Sequence, residues 1–138
     1  MTRAWNAVRR VLVPVDFSAS ARPIVEYARG IAKDRGASVT LLHVGGSPSP
    51  AAEKDLETLA ALVREAGVPV DSRLVPGTAA RVILVTAREI GADLVVIGTH
   101  GRTGLRQVLL GSVAEDVVRY CPCPVVTLRL PGFENEKP

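Results

Sequence analysis

The sequence predicts an α/β fold: a single open five-stranded parallel sheet with helices on both faces, of Rossmann-like type. Three observations carry that expectation. Short apolar runs alternate with stretches of helical spacing in the order β-α-β-α-β-α-β-α-β. The runs at 11–15 (VLVPV) and 93–97 (DLVVI) are apolar almost throughout, as strands buried between two layers of helices must be. Aromatic residues make up 4% of the chain against 47% hydrophobic residues, so the core has to be built from Val, Leu, Ile and Ala.

Strand one, residues 11–15, is followed by the turn Asp16-Phe17-Ser18-Ala19-Ser20. A helix then runs to about Arg35, with Ile24, Ala28 and Ile31 on one face and Gly36 as its stop. Residues 39–44 (VTLLHV) form strand two, and the breaker-rich segment 45–50 (GGSPSP) is a loop. The second helix is expected over 51–66, with Leu56, Leu59, Ala60 and Val63 at i, i+3, i+4, i+7 and Gly67 behind it. Strand three is the weaker run 68–75. Pro76-Gly77-Thr78 is a turn, with Thr78 a candidate N-cap. The third helix turns Val82, Ile83, Thr86 and Ile90 inward and ends near Gly91; strand four is 93–97. Ser112 is expected to open the fourth helix, which reaches about Tyr120, and Ser112 with Glu115 fits the S-x-x-E capping box. Strand five is 125–130. There Val126, Leu128 and Leu130 alternate with Val125, Thr127 and Arg129, the pattern of an edge strand covered on one side. The tails, 1–8 and 131–138, are expected to lie outside the core, and the length fits one domain.

Bulk properties narrow the class. No apolar run approaches the ~20 residues of a membrane span. The first ten residues hold Trp5 and three arginines but no apolar core of a signal peptide, so a cytoplasmic protein is expected. The net charge of +3 comes mostly from scattered arginines without interleaved aromatics, which argues against a nucleic-acid partner. Cys121 and Cys123 stand in a C-P-C-P run. A disulfide between residues two apart is geometrically awkward, and two ligands do not make a zinc site, so both are read as structural thiols, with a reactive thiol as the alternative.

Open doubly wound sheets bind ligands at the carboxyl ends of strands where strand order reverses. An order of 3-2-1-4-5 puts that reversal between strands one and four, which end at Asp16 and Gly98. The stretch after strand four reads Gly98-Thr99-His100-Gly101-Arg102-Thr103-Gly104 and continues to Gly111-Ser112. Glycines admit close backbone approach, and the helix that follows offers free N–H groups and a dipole to an anion. Arg102 and Arg106 can add charge-assisted bonds to phosphate oxygens. The Ser112 hydroxyl can either bind phosphate or cap its helix. His100 is a general base, a phosphate ligand or a support for the loop, His43 a packed residue, and Asp16 a ligand contact or a turn cap. The spacing matches neither G-x-G-x-x-G nor the P-loop, which disfavours dinucleotide dehydrogenases and P-loop NTPases.

Gly98-x2-Gly101-x9-Gly111-Ser112 resembles the G-x2-G-x9-G-[ST] pattern of ATP-binding universal stress proteins. Pro14-Val15-Asp16-Phe17-Ser18 is similar to that family's first strand and turn, and Leu41-Leu42-His43-Val44 to its second strand. The segments 92–97 and 121–126 are similar to its last two strands and their approaches. The resemblance runs in order from about residue 9 to 130. It implies the 3-2-1-4-5 sheet, a homodimer through the last strand (125–130), and ATP as ligand with Mg²⁺ accompanying the triphosphate. By position it implies Asp16 on the ribose, and Pro14, Val15 and Val44 around adenine. Ile97, Gly98, Gly101, Gly111, Ser112 and Val113 would hold ribose and phosphates. Relatives lacking the glycine pattern do not bind ATP; this chain keeps it. It departs in the short connection 45–50, where relatives carry a longer insert. The expected function is an ATP-binding stress-response regulator, not an enzyme, whose nucleotide state alters dimer or partner contacts. The alternatives are a slow ATP hydrolase and an interaction module with a vestigial pocket.

Overall fold

The computed structural model describes residues 7–99 and 111–129. Five strands, β1 (Arg10–Pro14), β2 (Ser38–Gly45), β3 (Val70–Pro76), β4 (Leu94–Gly98) and β5 (Val125–Leu128), alternate with four helices. These are α1 (Ala21–Arg35), α2 (Pro50–Arg64), α3 (Ala79–Ile90) and α4 (Ser112–Tyr120). The sheet order is β3-β2-β1-β4-β5 and all four pairings are parallel, so the expected fold class and strand order are both observed.

Strand alternation sorts the core into two layers. Val11 and Val13 of β1 bury against Ile24, Val25 and Ala28 of α1 and Leu59 of α2. Leu12, between them, points to the other face, where it joins Ile83 and Ala87 of α3 and Ala114 and Val117 of α4. The middle of the sheet is therefore apolar on both sides. Gly36 and Gly91 end α1 and α3 in the left-handed conformation, with φ of 66° and 65°.

Several boundaries differ from expectation, each for a local reason. α2 begins earlier because Ser49 is its N-cap: the hydroxyl accepts the Ala52 N–H at 3.1 Å and Pro50 occupies the first turn. Its other end stops at Arg64, and Gly67, at φ 82°, completes the turn that follows. β3 starts at Val70, although Val68 is still buried in the core. Thr78 holds the N-cap position of α3 without a side-chain bond to it. At α4 the capping box does not form. Gly111 is the N-cap and Ser112 is already helical, so the Ser112 hydroxyl stands one position too late to reach back. β5 is half-buried throughout and covered on both faces, not one: Val126 and Leu128 pack on the α1 side, Val125 on the α4 side. Leu130 lies outside the described residues.

One buried carboxylate ties the sheet's centre together. Asp93, only 7% exposed, accepts the N–H groups of Arg9 and Arg10 at 2.9 and 3.0 Å. It thereby sets β4 beside β1. Asp93→Ala leaves two amides unmet and is expected to cost about 1–3 kcal/mol. Urea denaturation checks this; an unchanged midpoint would refute the role.

Candidate functional site

The reversal of strand order falls between β1 and β4, and a cavity of about 450 Å³ opens at their carboxyl ends. Small-molecule sites commonly occupy roughly 300–1,000 Å³. β1 and the turn after it contribute Pro14, Val15 and Asp16; β2 contributes Leu42 and Val44. From β4 and the residue after it come Ile97, Gly98 and Thr99, and from the start of α4 Gly111, Ser112, Val113 and Ala114. The cavity thus gathers Pro14, Val15, Asp16 and Val44 with Ile97, Gly98, Gly111, Ser112 and Val113. His100, Gly101 and Arg102, with Gly104 and Arg106, lie outside the described residues.

Each wall has a physical origin. The Val15 N–H donates to the Leu42 carbonyl at 2.9 Å, continuing the ladder one residue beyond β1. The chain then turns sharply. Asp16 Oδ1 accepts the Ser18 N–H at 3.0 Å, an Asx-type turn. Phe17 adopts φ 63°, a left-handed conformation uncommon for a non-glycine residue. His43 supports it: the imidazole stacks on the Phe17 ring, centroids 4.0 Å apart, while Nδ1 lies 2.8 Å from the Val15 carbonyl oxygen. With a carbonyl as partner, Nδ1 is the protonated nitrogen. His43 is therefore a buttress behind the Asp16 turn.

The opposite wall is the start of α4. The Gly111 N–H donates to the Thr99 carbonyl at 2.6 Å, and the Thr99 N–H donates to the Leu128 carbonyl at 3.0 Å. This chain of bonds pins the helix start to the end of β4. The Glu115 N–H closes the first intrahelical bond on Gly111, so the amides of Ser112, Val113 and Ala114 have no helical acceptor. Those residues line the cavity. With its hydroxyl unused as a cap and its residue exposed, Ser112 can donate to a ligand. Gly98 matters for space: a Cβ there would fall 2.8 Å from Ile24 Cδ1, so that side chain, itself part of the wall, would have to shift.

The lining also includes residues that sequence reasoning did not nominate, among them Ser20 and Ile24 of the α1 side and Ala79 and Ile83 of α3. Ile83 was legible as an inward-facing helix residue. That its helix forms the roof of a cavity depends on where α3 docks. Leu42 could have been found, since it shares a strand face with Val44. Among the described residues the chemistry available is an apolar slot with one carboxylate, Asp16, at one side and helix amides with a hydroxyl at the other. It suits a ligand with a flat apolar part and an anionic end.

Similarity to known proteins falls along the whole described chain. The Universal stress protein family matches residues 7–60 and 46–129. Universal stress protein MJ0531 of Methanocaldococcus jannaschii is 30% identical over 147 residues, covering 94% of this chain and 86% of the relative. Universal stress protein YxiE of Bacillus subtilis is 28% identical over 145 residues, covering 87% and 98%. Among solved structures, that of MJ0577 of M. jannaschii superposes with a TM-score of 0.83 at 25% identity, covering 90% of this chain and 97% of the other. A universal stress protein in complex with cAMP superposes with a TM-score of 0.78 at 27% identity, covering 89% and 98%.

Proposed function

Because this chain belongs to the universal stress protein family, we propose that it is an adenine-nucleotide-binding regulator that takes ATP in the β1/β4 cavity. The observation that carries the reading is the cavity itself, with a pinned helix start facing an apolar slot. A relative of the same fold binds cAMP, which supports an adenine ligand. In this reading Pro14, Val15 and Val44 flank the base and Asp16 accepts the ribose hydroxyls. The amides of Ser112 and Val113, the Ser112 hydroxyl and the close approach allowed by Gly98 and Gly111 serve the phosphates. His100, Gly101 and Arg102 would complete the phosphate side.

Mg²⁺ is inferred from the triphosphate and not from ligand residues. It is usually held by one or two carboxylates together with substrate phosphates, and among the described residues the cavity wall offers only Asp16, on the ribose side. Among the described residues no group of three or more His, Cys, Asp or Glu could hold a metal by itself. When bound, the ion would neutralise phosphate charge. Efficient phosphoryl transfer needs a positioned base and usually a held metal; Asp16 and His100 are the nearby base candidates, His100 lies outside the described residues, and the sequence offers no acidic pair for Mg²⁺. The reading is therefore a binding protein whose hydrolysis, if measured as phosphate release, is slow.

Purified protein should release adenine nucleotide on denaturation, or bind ATP with micromolar affinity once stripped. In the same titration Asp16→Ala should weaken binding about tenfold, the worth of a charged hydrogen bond to the ribose. No binding of any adenine nucleotide would favour an interaction module instead.

The regulatory output is proposed to pass through a homodimer formed along β5. Among the described residues β5 is an edge with β4 as its sheet neighbour, and an unpaired edge invites another strand. Small-angle scattering at micromolar concentration should give a dimer mass; a monodisperse monomer would remove this part of the reading.

A further inference from the structure

The two cysteines are brought into contact by the junction of α4 and β5. Cys121 caps α4, its N–H donating to the Val117 carbonyl at 2.9 Å, and the chain bends through Pro122 and Cys123 before β5 begins. That bend folds the side chains together: the two sulfurs lie 3.6 Å apart, a thiol–thiol contact. Both residues are partly exposed and both pack on the apolar cluster of the α4 face. Neither lines the cavity. The i, i+2 spacing alone gives no reason for the sulfurs to touch, since in an extended strand successive odd positions run apart along the chain. The helix end and the bend decide it.

We infer that Cys121 and Cys123 form a reversible dithiol/disulfide couple whose oxidising substrate is a hydroperoxide. The reaction balances in two steps. One sulfur, as thiolate, attacks the terminal peroxide oxygen; the O–O bond breaks, a sulfenic acid forms, and the alcohol (or water, from hydrogen peroxide) leaves with the proton. The second sulfur then attacks the sulfenic sulfur, the S–S bond forms and water leaves. Two electrons pass from the thiols to the peroxide, and each chain consumes one peroxide. The sulfurs need to close only from 3.6 Å to the ~2.05 Å of a bond. The resolving thiol is already in contact, so the sulfenic acid is captured before a second peroxide over-oxidises it. A bond across so short a loop is strained, which places it among the easily reduced, labile disulfides and not the structural ones. Small thiols reverse it by exchange: one attacks a sulfur and frees the other as a thiolate, and a second attacks the resulting mixed disulfide, so that the second cysteine is released and the two small thiols leave as their disulfide. Pro122 restricts the loop between the two cysteines, and the anchoring of Cys121 at the helix end keeps the pair assembled.

The test uses the full chain, reduced and then exposed to stoichiometric hydrogen peroxide, quenched with excess N-ethylmaleimide under denaturing conditions and weighed by intact mass spectrometry. The expected product is a monomer two hydrogens lighter that carries no maleimide, and dithiothreitol restores two maleimide-reactive thiols. At least one of Cys121→Ser and Cys123→Ser should instead stop at a sulfenic acid trapped by dimedone. Retention of both maleimides after peroxide would overturn the proposal. So would a sulfinic or sulfonic product in the wild type, or a disulfide found only between chains on a non-reducing gel. The decisive arm is the wild-type protein, so a folding defect in either variant leaves the result readable.

Discussion

Gly111→Val is expected to remove micromolar ATP binding while leaving the protein folded. Gly111 is the N-cap of α4, at φ −66° and ψ 160°. That is ordinary extended backbone, so valine can adopt it without strain. The residue nevertheless lines the cavity beside the amides of Ser112 and Val113. A branched side chain there would occupy the space through which an anionic group reaches those amides. Each charge-assisted bond lost is worth roughly 1.5–3 kcal/mol, so affinity should fall on the order of a hundredfold. Stability should change by no more than about 1 kcal/mol, the usual cost of a poorer N-cap. Isothermal titration paired with thermal denaturation checks both halves. Full-strength binding in the variant would move the phosphate away from the α4 start and undo the proposed pose.

The largest effect on stability is expected from Leu12→Ala. Leu12 is the central residue of the central strand and is fully buried, paired with Thr40 on one side and Val95 on the other. Its side chain fills the space beneath α3 and α4, against Ile83 and Val117 among others. Truncation removes apolar contact and leaves a void that two anchored helices cannot collapse to fill. Core Leu→Ala changes cost about 2–5 kcal/mol. A loss of about 3 kcal/mol would lower Tm by on the order of 10 °C in a chain of this size. Val85→Ala is the control: Val85 is 43% exposed on α3, and its truncation should stay within about 0.5 kcal/mol. Equal shifts for the two variants would mean that the α3 face does not pack as described.

What the sequence determined by itself is what depends on neighbours along the chain. Periodicity placed the four helices and five strands within a few residues, because an apolar stripe at 3.6 spacing and an apolar run in β1 or β4 leave little choice of partner layer. Glycine positions marked the ends of α1 and α3, since few other residues accept φ near 65°. Topology, with the strand order assumed, pointed to the ends of β1 and β4 at Asp16 and Gly98; the other candidate residues from 14 to 113 were nominated by the family resemblance of the segments around them.

Other features were decided only by tertiary structure, because they are contacts between segments far apart in sequence. Asp93 reads as a strand residue but binds amides more than 80 positions away. The capping box at Ser112 is satisfied in sequence and absent in space, because the Gly111–Thr99 bond pulls the helix start one residue earlier. Ile24 and Ile83 become cavity walls only when α1 and α3 dock on opposite faces of the sheet. Cys121 and Cys123 touch only because a helix end and a bend meet between them. Local propensity sets where each element begins and ends; burial of its apolar face decides what it meets, and that is a property of the packed chain.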